Sequence, residues 1–336
     1  MMLKEITLWS QKLKSGFQCA TNFYHDNLGK MPTKIKKIAF VGMGGSGIAG
    51  RIMKTFLDRK QGLTTLIIDG PILPGTIDTD TLAIVISYSG NTWETLDILK
   101  QLGEKFIPAM VIAHGGKAVE YAEKKNIPFV IIPESLSPRS ALGLFLGFLF
   151  GIFDAMGIME GKRKCEAFCK HADLYIPKFM DDQFFKDFLH ATNGFDCFHV
   201  WGVSGSSDSC AYRAQTQFNE NSKVQAVFSS FPELNHNLIN SFAFYKQNPC
   251  VIFFYTDFLP KNVTIAIDVT CEILKEKGVI LYKPPILGNT FEEQLFNIVL
   301  WADFASYYLG KARQIDIESV KIIEELKQKH KTKGII

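Results

Sequence analysis

An excess of charge of one sign is nearly missing from this sequence. Lys and Arg number 37 against 34 Asp and Glu, which leaves +3 with histidine neutral. That is too little to draw the chain to nucleic acid or to an anionic membrane. The excess sits in the tail from Lys321 to Lys333, where it reads as the solvated face of a helix. Cysteine pairing is missing too. Cys19, Cys165, Cys169, Cys197, Cys210, Cys250 and Cys271 are odd in number and scattered, several of them inside apolar strands. Reduced, buried thiols in a reducing compartment fit this better than a disulfide framework. Cys165, Cys169 and His171 spell C-x3-C-x-H, but no second pair lies nearby and the three fall on one helical stretch. No metal site is expected.

Apolar runs of membrane-spanning length are also lacking. "ALGLFLGFLFGIF", residues 141–153, is apolar or glycine throughout, yet 13 residues are too few to cross a bilayer. Arg139 and Asp154 close it at either side, and a helix apolar all round is expected to lie buried between domains or subunits. The opening "MMLKEITLWSQKLKSGF" sets Leu3, Ile6 and Leu13 at helical spacing and has no signal-peptide core or cleavage site. A cytoplasmic protein is expected, with neither nucleic acid nor membrane as partner.

What is present is a globular composition: 336 residues, 47% hydrophobic and 21% charged, with 28 phenylalanines to fill aromatic cores. The length allows two domains. After an N-terminal helix, strand 35–41 runs into the glycine loop of "IAFVGMGGSGIAGR", and a helix extends through Leu57. Strands 64–69 and 81–87 follow, then the loop "SYSGNT", a helix over "WETLDILKQL", and strands in "AMVIAH" and "PFVIIP". Buried runs alternating with helices predict an α/β fold with a doubly wound parallel sheet. The second half repeats the plan: "FHVWGVSGSSDSCAYR" is again strand, loop and helix, and "VIFFYT" and "GVILYK" are later strands. Two lobes are predicted, 1–155 and 156–336. The second has Thr256-Asp257-Phe258 where the first has its Ser-Gly loop, so a phosphate cradle is expected only in the first.

Gly42, Gly44 and Gly47 satisfy G-x-G-x-x-G, the dinucleotide fingerprint, and Asp69 ends a strand 27 residues after Gly42, where a ribose-holding acid would stand. That reading leaves the second loop unexplained. Ser87, Ser89, Asn91 and Thr92 crowd six residues between a buried strand and a helix. Short hydroxyls and a helix N-terminus suit the three oxygens of a phosphate monoester. Alone, the loop is equally well a polar turn with an N-cap. Paired with Gly44, Gly45 and Ser46 one strand earlier, it reads as a phosphate site.

These two loops resemble those of the sugar isomerase (SIS) domain, a phosphosugar-binding fold. Two such lobes in a chain of this length resemble the bifunctional phosphoglucose/phosphomannose isomerases of the phosphoglucose isomerase superfamily. Three further blocks occur in the family's order: "PESLSPRSALG" (133–143), "AQTQFNENSK" (214–223) and "FPELNHN" (231–237). The resemblance spans nearly the whole chain. It implies two SIS-type doubly wound lobes with flanking helices, and aldose–ketose isomerisation of hexose 6-phosphates. It also implies a homodimer with shared active sites, the ring-opening histidine coming from the neighbouring subunit.

Such a reaction needs an acid and base to open the sugar ring, and a carboxylate to carry a proton between C2 and C1 through a cis-enediol. A fixed cation must also face the negative intermediate. It requires no metal, cofactor or redox step. By resemblance Glu220 is the proton-transfer base, His236 the ring-opening group, with Glu233 beside it in support, and Arg139 the cation. A planar, permanently charged guanidinium suits that last task. Taken alone, Glu220 reads as an exposed helix-terminal acid and Arg139 as a residue capping the apolar helix behind Pro138. The last helix, "VKIIEELKQ", resembles the segment whose lysine assists at the ring; Lys327 matches it, with Lys321 as the other candidate. Gly44, Gly45, Ser46, Ser87, Ser89 and Thr92 are expected to hold the phosphate. Three other readings stay open: a non-catalytic SIS sensor, an NAD-dependent dehydrogenase, and an SIS isomerase of another phosphosugar.

Overall fold

The computed structural model describes residues 1–135, 137–244 and 249–335. In chain order its elements are α1 (Met2–Thr7), α2 (Trp9–Asp26), β1 (Lys37–Val41), α3 (Gly44–Leu57), β2 (Thr64–Ile68), β3 (Thr81–Ser87), α4 (Trp93–Glu104) and β4 (Ala109–Ala113). Next come α5 (Lys117–Lys124), β5 (Phe129–Ile131), α6 (Leu142–Ala155), α7 (Gly161–Phe179), α8 (Lys186–Thr192), β6 (Cys197–Val203) and α9 (Asp208–Gln217). The chain continues with β7 (Gln225–Phe231), β8 (Cys250–Phe253), α10 (Lys261–Glu276), β9 (Ile280–Tyr282), α11 (Phe291–Ala312) and α12 (Lys321–Thr332).

Packing divides the chain into two compact units: Leu8–Cys169 with Val320–Ile336, and Met1–Thr7 with Lys170–Ser319. The division at 155/156 follows the repeat in the sequence, whereas the packing boundary falls inside α7. Cys165 and Cys169, in the first half of that helix, donate to the carbonyls of Leu13 and Ser10. His171, two residues later, faces Asn297 of α11. One helix thus supplies side chains to two cores.

In the first unit five parallel strands run in the order β2-β1-β3-β4-β5. Alternate residues explain why both faces are covered. Ala39, Val41, Ala83, Val85 and Val111 pack with Leu99 of α4 and Ala118 and Ala122 of α5. On the opposite face Phe40 meets Phe153 of α6 edge-on, with ring centroids 6.2 Å apart. Every residue of α6 from Leu142 to Phe153 is buried. This corrects the expectation of a helix lying between domains or subunits, because α6 is enclosed within its own unit. Phe148 packs on Phe23 of α2 and Phe150 on Phe56 of α3. By length and composition the window Pro138–Ala155 could cross a membrane, but 78% of it is buried inside the protein. It is a core helix.

In the second unit four parallel strands run in the order β7-β6-β8-β9. Trp201, Val203, Phe231, Val251 and Phe253 form one core with Ile267 and Leu274 of α10. On the other face Phe198 packs edge-on against Phe218, and Phe254 against Trp301 of α11. Strand β7 has no counterpart in the sequence reading. It is an edge strand carrying Ser229 and Ser230 and is buried only in part, so it lacks the continuous apolar run that marks the others.

Candidate active site

In the five-stranded sheet the strand order reverses between β1 and β3, which pair in register from Lys37↔Thr81 to Val41↔Val85. The loops leaving the carboxyl ends of two such strands flank the crevice where open α/β sheets bind ligands. Those loops are the two predicted for phosphate. The first opens α3, so the N–H groups of Gly44 and Gly45 lie in its first turn, where ladder acceptors are lacking, while Ser46 N–H donates to Met43 O at 3.1 Å. The second carries Ser87 at the end of β3 and Thr92 at the N-cap of α4.

The loops are joined directly. Tyr88 N–H donates to Ser46 Oγ at 3.1 Å, which leaves the Ser46 proton for another acceptor. Ser87 is 2% exposed, and its hydroxyl has no hydrogen-bond partner among the described residues. A buried hydroxyl without a partner is costly, so its retention points to a ligand that satisfies it. The Thr92 side chain makes no capping hydrogen bond, so the N-cap explanation of this residue does not hold. Ser89 is exposed, and its Oγ accepts from Asn91 N–H at 3.2 Å within the turn.

The same unit brings Arg139 to these loops. It sits in a single 3₁₀ turn, Pro138–Ala141, ahead of α6, and is 4% exposed. The backbones touch: a Cβ on Gly45 would stand 3.0 Å from Arg139 N and 3.1 Å from its Cα. Glycine is what allows this approach. Tyr88, which the sequence reading did not single out, ties a further segment in. Its hydroxyl donates to Ser135 O at 2.6 Å and accepts from Ser135 N–H at 2.8 Å, while its ring stacks on His114. Thr95, on the first turn of α4, was not singled out in the sequence either; it is 1% exposed and its hydroxyl has no partner among the described residues. Only the rule that buried hydroxyls find partners could have flagged it. Asp69, the acid that a dinucleotide reading would give to the ribose, is ion-paired with Arg51.

Lys327 is placed differently. No residue of α12 is buried, and Lys327 has no hydrogen bond or ion pair among the described residues. Lys321, at the start of the same helix, is also exposed.

The second unit holds Glu220 and His236. Glu220 lies in a π turn, Phe218–Ser222, that continues α9. Such turns insert an extra residue into a helix and are frequent at functional sites. Phe218, Asn221 and Ser222 are buried, while Asn219 and Glu220 are half-exposed. The amides beside the acid are structural: Asn219 accepts from Ala226 N–H at 2.7 Å at the start of β7, and Asn221 reaches Ser306 on α11. Lys223 ends the turn with left-handed backbone, and its ammonium donates to Ser319 O at 2.7 Å and to Glu220 O. His236 is exposed on the 3₁₀ turn Glu233–His236, which follows the cis Phe231–Pro232 peptide. With Asn235, Asn240 and Lys277 it lines an open pocket of about 400 Å³. Glu233 accepts from Asn237 Nδ2 at 3.1 Å, so this carboxylate is engaged within its own turn.

The loop that repeats the glycine loop in this unit is closed by its own side chains. Ser207 Oγ accepts from Val203 N–H and donates to Phe254 O, which staples β6 to the segment after β8. The Asp208 carboxylate takes the N–H groups of Gly205 and Ser209, where a phosphate would otherwise be received.

Among the described residues no group of three or more His, Cys, Asp or Glu is placed to hold a metal. All seven cysteines are free thiols, and burial pushes Cys210 and Cys250 up to about 12.

Comparison with known proteins covers both units. The SIS domain model matches residues 33–132, and the model of the bacterial phospho-glucose isomerase C-terminal SIS domain matches 191–329. A bifunctional phosphoglucose/phosphomannose isomerase of Caldicellulosiruptor bescii is 31% identical over 309 residues, covering 88% of this chain and 89% of the relative. One from Thermoplasma volcanium is also 31% identical, covering 88% and 91%. Among solved structures, tagatose-6-phosphate ketose/aldose isomerase from Escherichia coli superposes with a TM-score of 0.70 at 16% identity, over 95% of each chain. At that identity the likeness is one of fold.

Proposed function

Because the chain belongs to the bifunctional phosphoglucose/phosphomannose isomerase family, we propose that it interconverts fructose 6-phosphate with glucose 6-phosphate, and with mannose 6-phosphate, through a cis-enediol. The observation that carries this reading is the pair of loops at the β1/β3 crevice. They are hydrogen-bonded to each other and hold the buried, unpartnered hydroxyl of Ser87. In the proposed complex Gly44, Gly45, Ser46, Ser87, Ser89 and Thr92 receive the phosphate, which anchors the sugar at the end that does not react. Arg139 faces the enediolate.

His236 opens the ring, and Glu220 then moves the proton between C2 and C1. Lys327, or Lys321, assists at the ring oxygen. The steps so written need no metal or redox cofactor. The protein acts in the cytoplasm as a homodimer in which His236 serves the neighbouring subunit's site. A coupled assay tests the activity: purified protein is given fructose 6-phosphate, with metal and NAD kept out of the isomerisation step, and both aldose 6-phosphates are measured. Formation of both is expected. Saturable binding of fructose 6-phosphate without either product would favour a non-catalytic sensor.

A further inference from the structure

We propose that Asp303 is a positioning residue for this reaction: with Arg213 and Gln217 it forms a buried clamp that fixes the π turn presenting Glu220. The inference rests on Glu220 being the base. Asp303 lies mid-helix in the apolar run "IVLWADFASYYL" of α11 and is 1% exposed. A carboxylate so placed is costly unless charge and hydrogen bonds compensate it. Both come from α9. Arg213 Nη2 donates to Asp303 Oδ1 at 3.0 Å and Gln217 Nε2 to the same oxygen at 2.8 Å. Arg213 and Gln217 are each 1% exposed and stand four residues apart, on one face of the helix.

The contacts continue along the same line into the π turn. Asn221 Nδ2 donates to Ser306 Oγ at 3.0 Å, Ser222 Oγ to Ser306 O at 2.8 Å, and Ser306 Oγ to Asp303 O at 3.1 Å. One turn further, a Cβ on Gly310 would stand 2.6 Å from the Asn221 carbonyl oxygen, so the turn is pressed against the α11 backbone. A π turn is rare and occurs mostly as a single turn within a helix, and this one is held from outside by these contacts. The seam ends on the buried side chains of Asn221 and Ser222, which directly follow Glu220, and Glu220 is itself left half-exposed. A carboxylate that must reach both C1 and C2 from one side tolerates little misplacement. Replacing the seam by apolar residues would fill the same volume, so the polar network is better explained by the turn it holds than by stability alone.

The test compares Asp303→Asn and Gln217→Met with wild type by three readouts. These are the rate at which fructose 6-phosphate loses its C1 hydrogen to D2O, the kcat and KM for isomerisation, and the thermal midpoint. Both variants are expected to lose exchange and kcat together, by roughly ten- to a hundredfold, with KM within about twofold. Gln217→Met leaves no buried charge without its partner, so it reports even where Asp303→Asn folds poorly. Wild-type exchange and kcat in the folded variants would overturn the inference, whatever happens to the midpoint. Glu220→Gln is run beside them. Exchange lost there but kept in the two variants sinks the clamp alone, and exchange kept in Glu220→Gln sinks the base assignment and the clamp with it.

Discussion

Among the described residues Ser87 carries a buried hydroxyl without a partner, and Thr92 stands at an N-cap without a capping bond. If they receive the phosphate, Ser87→Ala with Thr92→Val should raise KM for fructose 6-phosphate, roughly ten- to a hundredfold for hydrogen bonds to a charged group, and leave kcat within a few-fold. Steady-state kinetics decides it, and a fall in kcat with KM unchanged would contradict the phosphate role. In the sequence these residues stand out only when paired with Gly44, Gly45 and Ser46 one strand earlier, since alone such a loop is equally well a polar turn with an N-cap. Arg139, Glu220 and His236 were legible only through the blocks around them. Each has an ordinary explanation when taken alone, as a helix-start residue, a terminal acid or a surface imidazole. Asp303 left one trace, a single acid inside an apolar helix, and its partners 86 and 90 residues away in sequence were not visible before folding.

At the scale of elements, the strands with continuous apolar runs were readable, because a parallel sheet is buried on both faces. Strand β7 was not, since its serines and partial burial carry no period. For α6 the sequence predicts burial, but which neighbours enclose it depends on α2 and α3, whose packing no local pattern encodes. Helix α7 offers a test of the packing on it. Burial holds His171 down to about 4, from an ordinary 6.5, against weaker opposing effects of Asn297 and Glu293. His199 is lowered by burial as well. The unfolded chain therefore binds more protons than the folded one between about pH 6.5 and 4. Stability from this source is complete above pH 6.5 and is lost as pH falls through that window. The urea midpoint should drop between pH 7 and pH 4.5, and His171→Phe should flatten the drop. Identical slopes in the two proteins would contradict the assignment.

At the scale of the molecule, the doubled architecture was plain from the repeat, and the proposal of one cradle rather than two rests on chemistry within the loops. Asp208 occupies the helix start in one unit, where Gly44 and Gly45 carry no acidic side chain in the other. The proposed shared-site dimer makes a prediction at this scale. Mixing inactive Glu220→Gln and His236→Ala proteins should restore part of the activity once subunits exchange, and no recovery after exchange is verified would place each site in one chain. The proposed mechanism comes down to one proton. In D2O the wild-type protein should place deuterium at C2 of the aldose product, and Glu220→Gln should bind fructose 6-phosphate with near-unchanged affinity while losing that incorporation by at least about 10²- to 10⁴-fold. Incorporation by Glu220→Gln at the wild-type rate would contradict the account.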